Sequence, residues 1–126
     1  MARADNPHGM PIELKPVQAL SLWHDVTLES VRRDGTDLSA RQLAILLDVY
    51  LNPPPHTVRG LAQRLKVSKP AITRALDTLG RRRLLKRRRD DADRRNVLVL
   101  RTVEGSVYLS EYADLISGTV AKLRVL

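Results

Sequence analysis

Fifteen Lys and Arg side chains fall between Arg59 and Arg101, against four carboxylates, Asp77, Asp90, Asp91 and Asp93. That stretch carries +11 where the whole chain carries +8, so the remainder sums to −3. A field polarised in this way suits a polyanion held on one face. Arg outnumbers Lys there, and the planar guanidinium binds a phosphate or a guanine edge through two parallel hydrogen bonds. The chemistry on offer is recognition of backbone charge and base edges; the blander account is a solvated charge run.

Bond-making chemistry lacks its residues. The sequence has no Gly-rich phosphate loop, no nucleophile elbow and no His–carboxylate cluster at useful spacing. His8, His24 and His56 are too far apart in the chain for a metal-ligand motif. With no cysteine, disulfides, thiolate chemistry and cysteine-ligated zinc or iron–sulfur sites are excluded. Asp90, Asp91 and Asp93 could suggest Mg²⁺, but the arginines around them favour a charged hairpin tip. No catalytic residue, metal or cofactor is expected.

The cations need a scaffold, and its centre is Ser68-Lys69-Pro70-Ala71-Ile72-Thr73-Arg74-Ala75-Leu76-Asp77. Ser68 is an N-cap candidate, and Pro70 sits in the first turn, where a missing N–H costs little. Ala71, Ile72, Ala75, Leu76 and Leu79 recur at helical spacing, leaving Lys69, Pro70, Thr73, Arg74 and Asp77 on the other face of a helix over 68–80. Upstream, Thr57 caps a short helix with Val58, Leu61, Ala62 and Leu65 as its stripe. Only Lys66-Val67 separates the two, so they must turn sharply, as in a helix-turn-helix. Downstream, 84–89 and 96–101 flank the polar run 90–95 and read as a β-hairpin, a wing over about 85–101.

These residues resemble the winged helix-turn-helix of the MarR family of bacterial transcription regulators. The likeness lies in Leu61-Ala62-Gln63-Arg64-Leu65, then Val67-Ser68-Lys69-Pro70-Ala71-Ile72-Thr73-Arg74, then Leu84. Its strongest part is Asp93-Arg94-Arg95-Asn96-Val97-Leu98-Val99, similar to the family's Asp-x-Arg wing signature, which ends in Leu-Thr near Thr102. Arg101 stands where the family has an apolar residue, which predicts a changed register with Leu100 turned inward. The match spans about 38–105, and the flanks match only in outline.

Around this centre the chain reads as a loose arm over 1–10, then an amphipathic helix over 11–34 with Leu14, Val17, Leu20, Leu28 and Val31 on one side, widened by Trp23 and Val26. Asp34-Gly35 should form the turn that follows. Ser39 caps a helix over 40–51, with Leu43, Leu46, Leu47 and Tyr50 inward, stopped by Asn52-Pro53-Pro54-Pro55. The winged unit occupies 38–102. Thr102 opens a last helix over 103–126, weakened by Gly118 in its final third. The expected fold is mainly α with a small β-hairpin wing, a winged helix-turn-helix plus terminal dimerisation helices. A chain of 126 residues suits one core, and with one Trp, three Tyr and no Phe that core must be aliphatic. The longest apolar run is too short to span a bilayer, and the N-terminus lacks a secretory core, so a soluble cytoplasmic protein is the simplest class.

The expected function is a sequence-specific regulator that binds double-stranded DNA, most simply a repressor. Thr73 and Arg74 would read base edges in the major groove, with Lys69 and Pro70 beside them, while Ser68, Arg59 and Arg64 would hold phosphates. In the wing, Arg94 or Arg95 would enter the minor groove, with Arg87 and Arg89 on the same strand system. The resemblance implies that Asp93 braces one of these arginines and that the terminal helices intertwine into a homodimer. Members of the family continue further past the wing, so the interface would be smaller than usual or built differently. Trp23 and His24 could line a pocket for a small-molecule effector, although a lone Trp is more often core or interface. The competing functions are an architectural DNA binder without sequence preference and a winged-helix module that docks proteins.

Overall fold

The structure is a computed structural model, and it describes residues 11–33 and 37–123. The expected arm over 1–10 and the Asp34-Gly35 turn lie outside the described residues. Five helices and one two-stranded antiparallel sheet follow in the order α1 (Pro16–Arg32), α2 (Ala40–Leu51), α3 (Val58–Leu65), α4 (Lys69–Arg81), β1 (Leu85–Arg89), β2 (Val97–Arg101) and α5 (Val103–Ala121). The mainly α architecture with a hairpin wing is the one expected.

The helix starts are set locally. Ser39 Oγ accepts the Gln42 N–H at 3.1 Å while Gln42 Oε1 accepts the Ser39 N–H at 2.8 Å, a reciprocal capping box. Thr57, Ser68 and Thr102 cap α3, α4 and α5 through bonds from Gly60, Ala71 and Gly105 N–H at 2.9, 3.2 and 2.9 Å. Within the 11–34 span, helix α1 begins at Pro16. Pro16 supplies a pre-set φ and lacks the N–H that a first turn leaves unpaired, so Leu14 precedes the helix.

The core lies among α2, α3, α4 and the base of the wing. Ile45, Leu46, Val49, Leu61, Ile72, Leu76, Leu79, Leu85 and Val99 are its fully buried members. The stripe read for α4 is buried at every position. In α2 Leu46 is buried and Leu43 and Tyr50 pack against the core as expected, Ile45 and Val49 are buried as well, and Leu47, expected inward, is 42% exposed. The helix is apolar nearly all round, so its period cannot select a face, and docking on α3 and α4 does.

The turns use unusual residues. Lys66, between α3 and α4, and Arg83, between α4 and β1, are both left-handed, at φ 57° and 59°. At Arg83 the chain closes a Schellman pattern, with Leu84 N–H on Leu79 O at 2.9 Å and Arg83 N–H on Gly80 O at 3.0 Å. No glycine marks either place.

In the wing, Leu85 pairs with Arg101, Arg87 with Val99 and Arg89 with Val97. The inward turn of Leu100 does not occur: Val99 is buried and Leu100 is half-buried. Arg101 shares a face with Val99 (period two along a strand) and spends its guanidinium on the end of α2. Its Nε donates to Val49 O at 2.9 Å and its Nη2 to Asn52 O at 2.8 Å. A cation there satisfies carbonyls that a helix C-terminus leaves unpaired. The polar residue is thus accommodated without a change of register.

Tyr50 of α2 ties the wing base to the start of α5. Its hydroxyl is bonded to Leu84 O at 3.2 Å and Thr102 O at 2.9 Å, and accepts the Thr102 N–H at 2.9 Å. Gly105 packs against that hydroxyl so closely that a Cβ would overlap both Tyr50 Oη and Leu84 O. Helix α1 packs on α5, fastened by Arg33, whose guanidinium lies 4.6 and 4.2 Å from the ring centroids of Tyr108 and Tyr112 and pairs with Glu111. Yet no residue of α1 is buried, and Val17, Leu20, Trp23 and Val31 are each more than half exposed. Val103 and Val107 of α5 are as well.

Candidate nucleic-acid interface

Helix α4 buries Ala71, Ile72, Ala75, Leu76 and Leu79, so the opposite face is fixed by the 3.6-residue period. Lys69, Pro70, Thr73 and Arg74 are exposed on it and Asp77 is half-exposed. The cap at Ser68 and the tight Lys66-Val67 turn set the angle at which this face projects past α3. Val67 N–H and Ile72 N–H, bonded to Ala62 O and Ser68 O at 3.1 Å each, carry the chain through that turn.

Two electrostatic contacts bring the wing and α3 to the same surface. Arg87 on β1 donates from Nη2 to Asp77 Oδ1 on α4 at 2.7 Å. At the wing tip Asp93 receives Arg95 Nε at 3.1 Å, Arg95 Nη2 at 3.3 Å and the Arg95 N–H at 3.1 Å. These bonds, the side-chain one foremost, hold the Asp93 carboxyl below its usual value of 3.8, and the charge of Arg59 on α3 adds to the effect. The brace expected of Asp93 is therefore a real bond, and it is to Arg95 rather than Arg94.

The tip itself is ordered by its own backbone. Asp90 N–H bonds Asn96 O at 3.0 Å, Asn96 N–H bonds Asp93 O at 2.9 Å, and Ala92 N–H bonds Asp90 Oδ1 at 2.9 Å. The carboxylates of this run serve the turn. No group of three or more His, Cys, Asp or Glu able to hold a metal occurs among the described residues.

The cations differ in what they already hold. Arg64 pairs with Asp48 of α2 at 2.8 Å, and Arg89 donates to Arg94 O at 2.7 Å. Both stay on the exposed surface, with 48% of the Arg64 side chain accessible. Arg59, Lys69, Arg74, Arg94 and Arg95 are exposed, and the Arg95 side chain is 87% accessible although it carries the Asp93 bond. Lys86 and Arg88 alternate to the face of β1 opposite Arg87 and Arg89.

Trp23 and His24 lie apart from this surface. With Leu20, Thr27, Leu28 and Val31 they line an open groove of about 530 Å³ built from α1 alone. His24 Nδ1 sits 2.9 Å from Asp25 Oδ1, and both side chains are more than half exposed. A larger cleft of about 650 Å³ separates the ends of α1 and α4 from α5, lined among others by Arg33, Arg82, Tyr108 and Glu111. Burial and the neighbouring Tyr112 raise the Tyr108 phenol there to about 12, against the opposing charges of Arg82 and Arg33. Sequence reading passed over Arg33 and Tyr108, because the pairing joins residues some 75 positions apart, beyond the reach of any local pattern. His56, set aside above as a metal ligand, is buried and bonds Asn52 O through Nε2 at 3.1 Å.

Comparison with known proteins converges on this architecture. A sequence profile described as MarR family matches residues 36–96. No curated protein matches the chain by sequence. Among solved structures, a mutant of S. aureus MepR superposes with a TM-score of 0.71 at 18% identity, over 85% of this chain and 76% of that one. The YusO protein of Bacillus subtilis gives 0.68 at 26% identity, over 84% and 74%. The transcriptional repressor CouR, solved on a 23-mer DNA duplex, gives 0.64 at 26% identity, over 82% and 70%. MarR-family regulators are not enzymes. Through the winged helix-turn-helix built on α3, α4 and the β1–β2 hairpin, the segment over residues 36–96 belongs to the MarR family of DNA-binding transcription regulators.

Proposed function

We propose that this regulator reads specific sequences in double-stranded DNA and represses transcription as a homodimer. The observation that carries the reading is the joint surface of α4, α3 and wing. An exposed helix face with Thr73 and Arg74 lies beside a wing whose tip presents Arg94 and Arg95. Arg74 and Thr73 meet base edges in the major groove, with Lys69 and Pro70 at its margin. Arg59, Arg64, Ser68 and Arg89 face backbone phosphate, Arg87 lies on the same surface paired with Asp77, and the Asp93–Arg95 brace shapes the tip for the minor groove or backbone. Phosphate contacts fix register while base contacts discriminate.

Dimerisation draws support from the exposed apolar residues of α1 and α5, Trp23 at 71% and Val103 at 78% among them. Contiguous apolar surface of this kind is rare on monomers. A two-fold pair would set its recognition helices about 34–36 Å apart, in successive major grooves. CouR, a repressor bound to DNA, favours the same mode of action here. The apolar groove at Trp23 and His24 favours a small-molecule effector as a further partner. No described helix is long and apolar enough to cross a membrane, in keeping with a cytoplasmic regulator.

Fluorescence anisotropy with a duplex from the gene's own upstream region, against a scrambled duplex, tests the proposal. Specific binding should exceed nonspecific binding by at least ~10³, and footprinting should then show a two-fold site. Equal, steeply salt-dependent binding to both would mean an architectural DNA binder instead.

A further inference from the structure

We infer that Asp77 limits the backbone affinity of this interface by holding Arg87 on the recognition helix, away from phosphate. The inference rests on the DNA-binding reading above and goes beyond it, since Asp77 contacts no DNA in this role.

Asp77 is the one acid on α4. On the helical projection it stands opposite the buried line of Ile72, Ala75 and Leu79, in the middle of the face that also carries Pro70, Thr73 and Arg74. It lies roughly 12 Å along the axis from Lys69, at 1.5 Å per residue. A bare carboxylate there would oppose a polyanion. Arg87 answers it at 2.7 Å, with the two side chains 35% and 47% accessible for Arg87 and Asp77. The pair is wet enough to exchange and close enough to fix where the guanidinium points. Arg95 is bound within its own tip and Arg89 to a backbone carbonyl at the hairpin's end. Arg87, by contrast, takes its direction from the recognition helix itself.

The pair is neutral in sum, so it adds nothing to the counterions that the protein displaces from DNA. Freed from Asp77, Arg87 becomes one more cation at the phosphates. One added phosphate contact steepens the dependence of log K on log salt by about 0.9, or roughly 3.5-fold more loss of affinity over a fourfold rise in salt. Because that contact carries no sequence information, it raises nonspecific binding and specific binding together. Asp77 thus keeps the share of affinity owed to base reading high.

The test is a salt series by anisotropy on a scrambled duplex, with wild type, Asp77→Asn, Arg87→Gln and the double variant, each checked for folding by circular dichroism. Asp77→Asn should bind more tightly at low salt with a slope steeper by about 0.9, and the gain should vanish in the Arg87→Gln background. An unchanged or shallower slope for Asp77→Asn overturns the inference and leaves the pair as a brace between wing and helix. A gain that persists without Arg87 also overturns it, since the carboxylate would then act directly on the phosphates. Failure of the wild type itself to bind any duplex at low salt would remove the DNA-binding reading, and the inference with it.

Discussion

A single methyl group at Gly105 tests how rigidly α5 is joined to the wing base. A Cβ there would overlap Tyr50 Oη and Leu84 O, and would stand 2.9 Å from Tyr50 Cζ. Leu84 O is backbone, and the tyrosine hydroxyl is fixed by its bonds to Leu84 and Thr102. Neither neighbour can swing aside, so the first turn of α5 must lift. Overpacking of this sort costs about 1–3 kcal/mol, and separating Tyr50 from a part-buried N–H or carbonyl adds ~1–3 kcal/mol. The better helix propensity of alanine returns about 1 kcal/mol. A net loss of roughly 1–5 kcal/mol follows, and its midpoint of ~3 kcal/mol lowers the melting temperature by about 10 °C in a domain this size. Gly118 is the internal control. It lies in the same helix with nothing within 4 Å of an added Cβ, so Gly118→Ala should stabilise by up to ~1 kcal/mol. Urea melts followed by circular dichroism at several protein concentrations give both values. If Gly105→Ala melts within ~0.5 kcal/mol of wild type, about the range of neutral surface changes, the packed junction is refuted.

Other expectations follow from the local geometry. Ser68→Ala removes the oxygen that accepts from Ala71 N–H and should cost about 1 kcal/mol in the same melts. Two shifted groups mark opposite ends of the pH scale. Tyr108, raised to about 12, stays protonated in the folded protein while its unfolded counterpart ionises near 10. Stability therefore falls between those values as pH rises, and ultraviolet difference absorbance should show one late-titrating tyrosine. Asp93 is held below its usual value of 3.8 by Arg95. Its contribution is complete above that value and is lost as pH falls through the lowered one. A carboxyl titration by NMR should show Asp93 protonating below its usual value of 3.8.

Helix α4 was legible because everything that shapes it is local: a capping serine, a proline in the first turn and an apolar stripe at the right period. The wing was legible from two short runs around a charged turn. The inward face of α2 was only partly legible, because Leu43, Ile45, Leu46, Leu47, Val49 and Leu51 spread around most of the helix and leave Arg41, Gln42 and Asp48 as the polar contrast. Lys66 and Arg83 gave no sign of positive φ, since glycine is the residue that ordinarily signals it. Arg101 looked like a fault in strand register and is a C-terminal partner for α2, a role that depends on carbonyls 49 and 52 residues away. The candidate site divides the same way. Residue type and spacing pick out the exposed cations, whereas tertiary structure decides that Arg64 leans on Asp48 and Arg87 on Asp77.

The most direct measurement compares Arg74→Ala with Arg94→Ala on a cognate and a scrambled duplex at one salt concentration. If the exposed face of α4 reads bases, Arg74→Ala should shrink the affinity ratio between the two duplexes by about 5- to 150-fold, equivalent to ~1–3 kcal/mol. Arg94→Ala should weaken both duplexes by similar factors and leave that ratio within about threefold. An unchanged ratio for Arg74→Ala would contradict base reading by this helix and move discrimination to the wing or to the shape of the DNA.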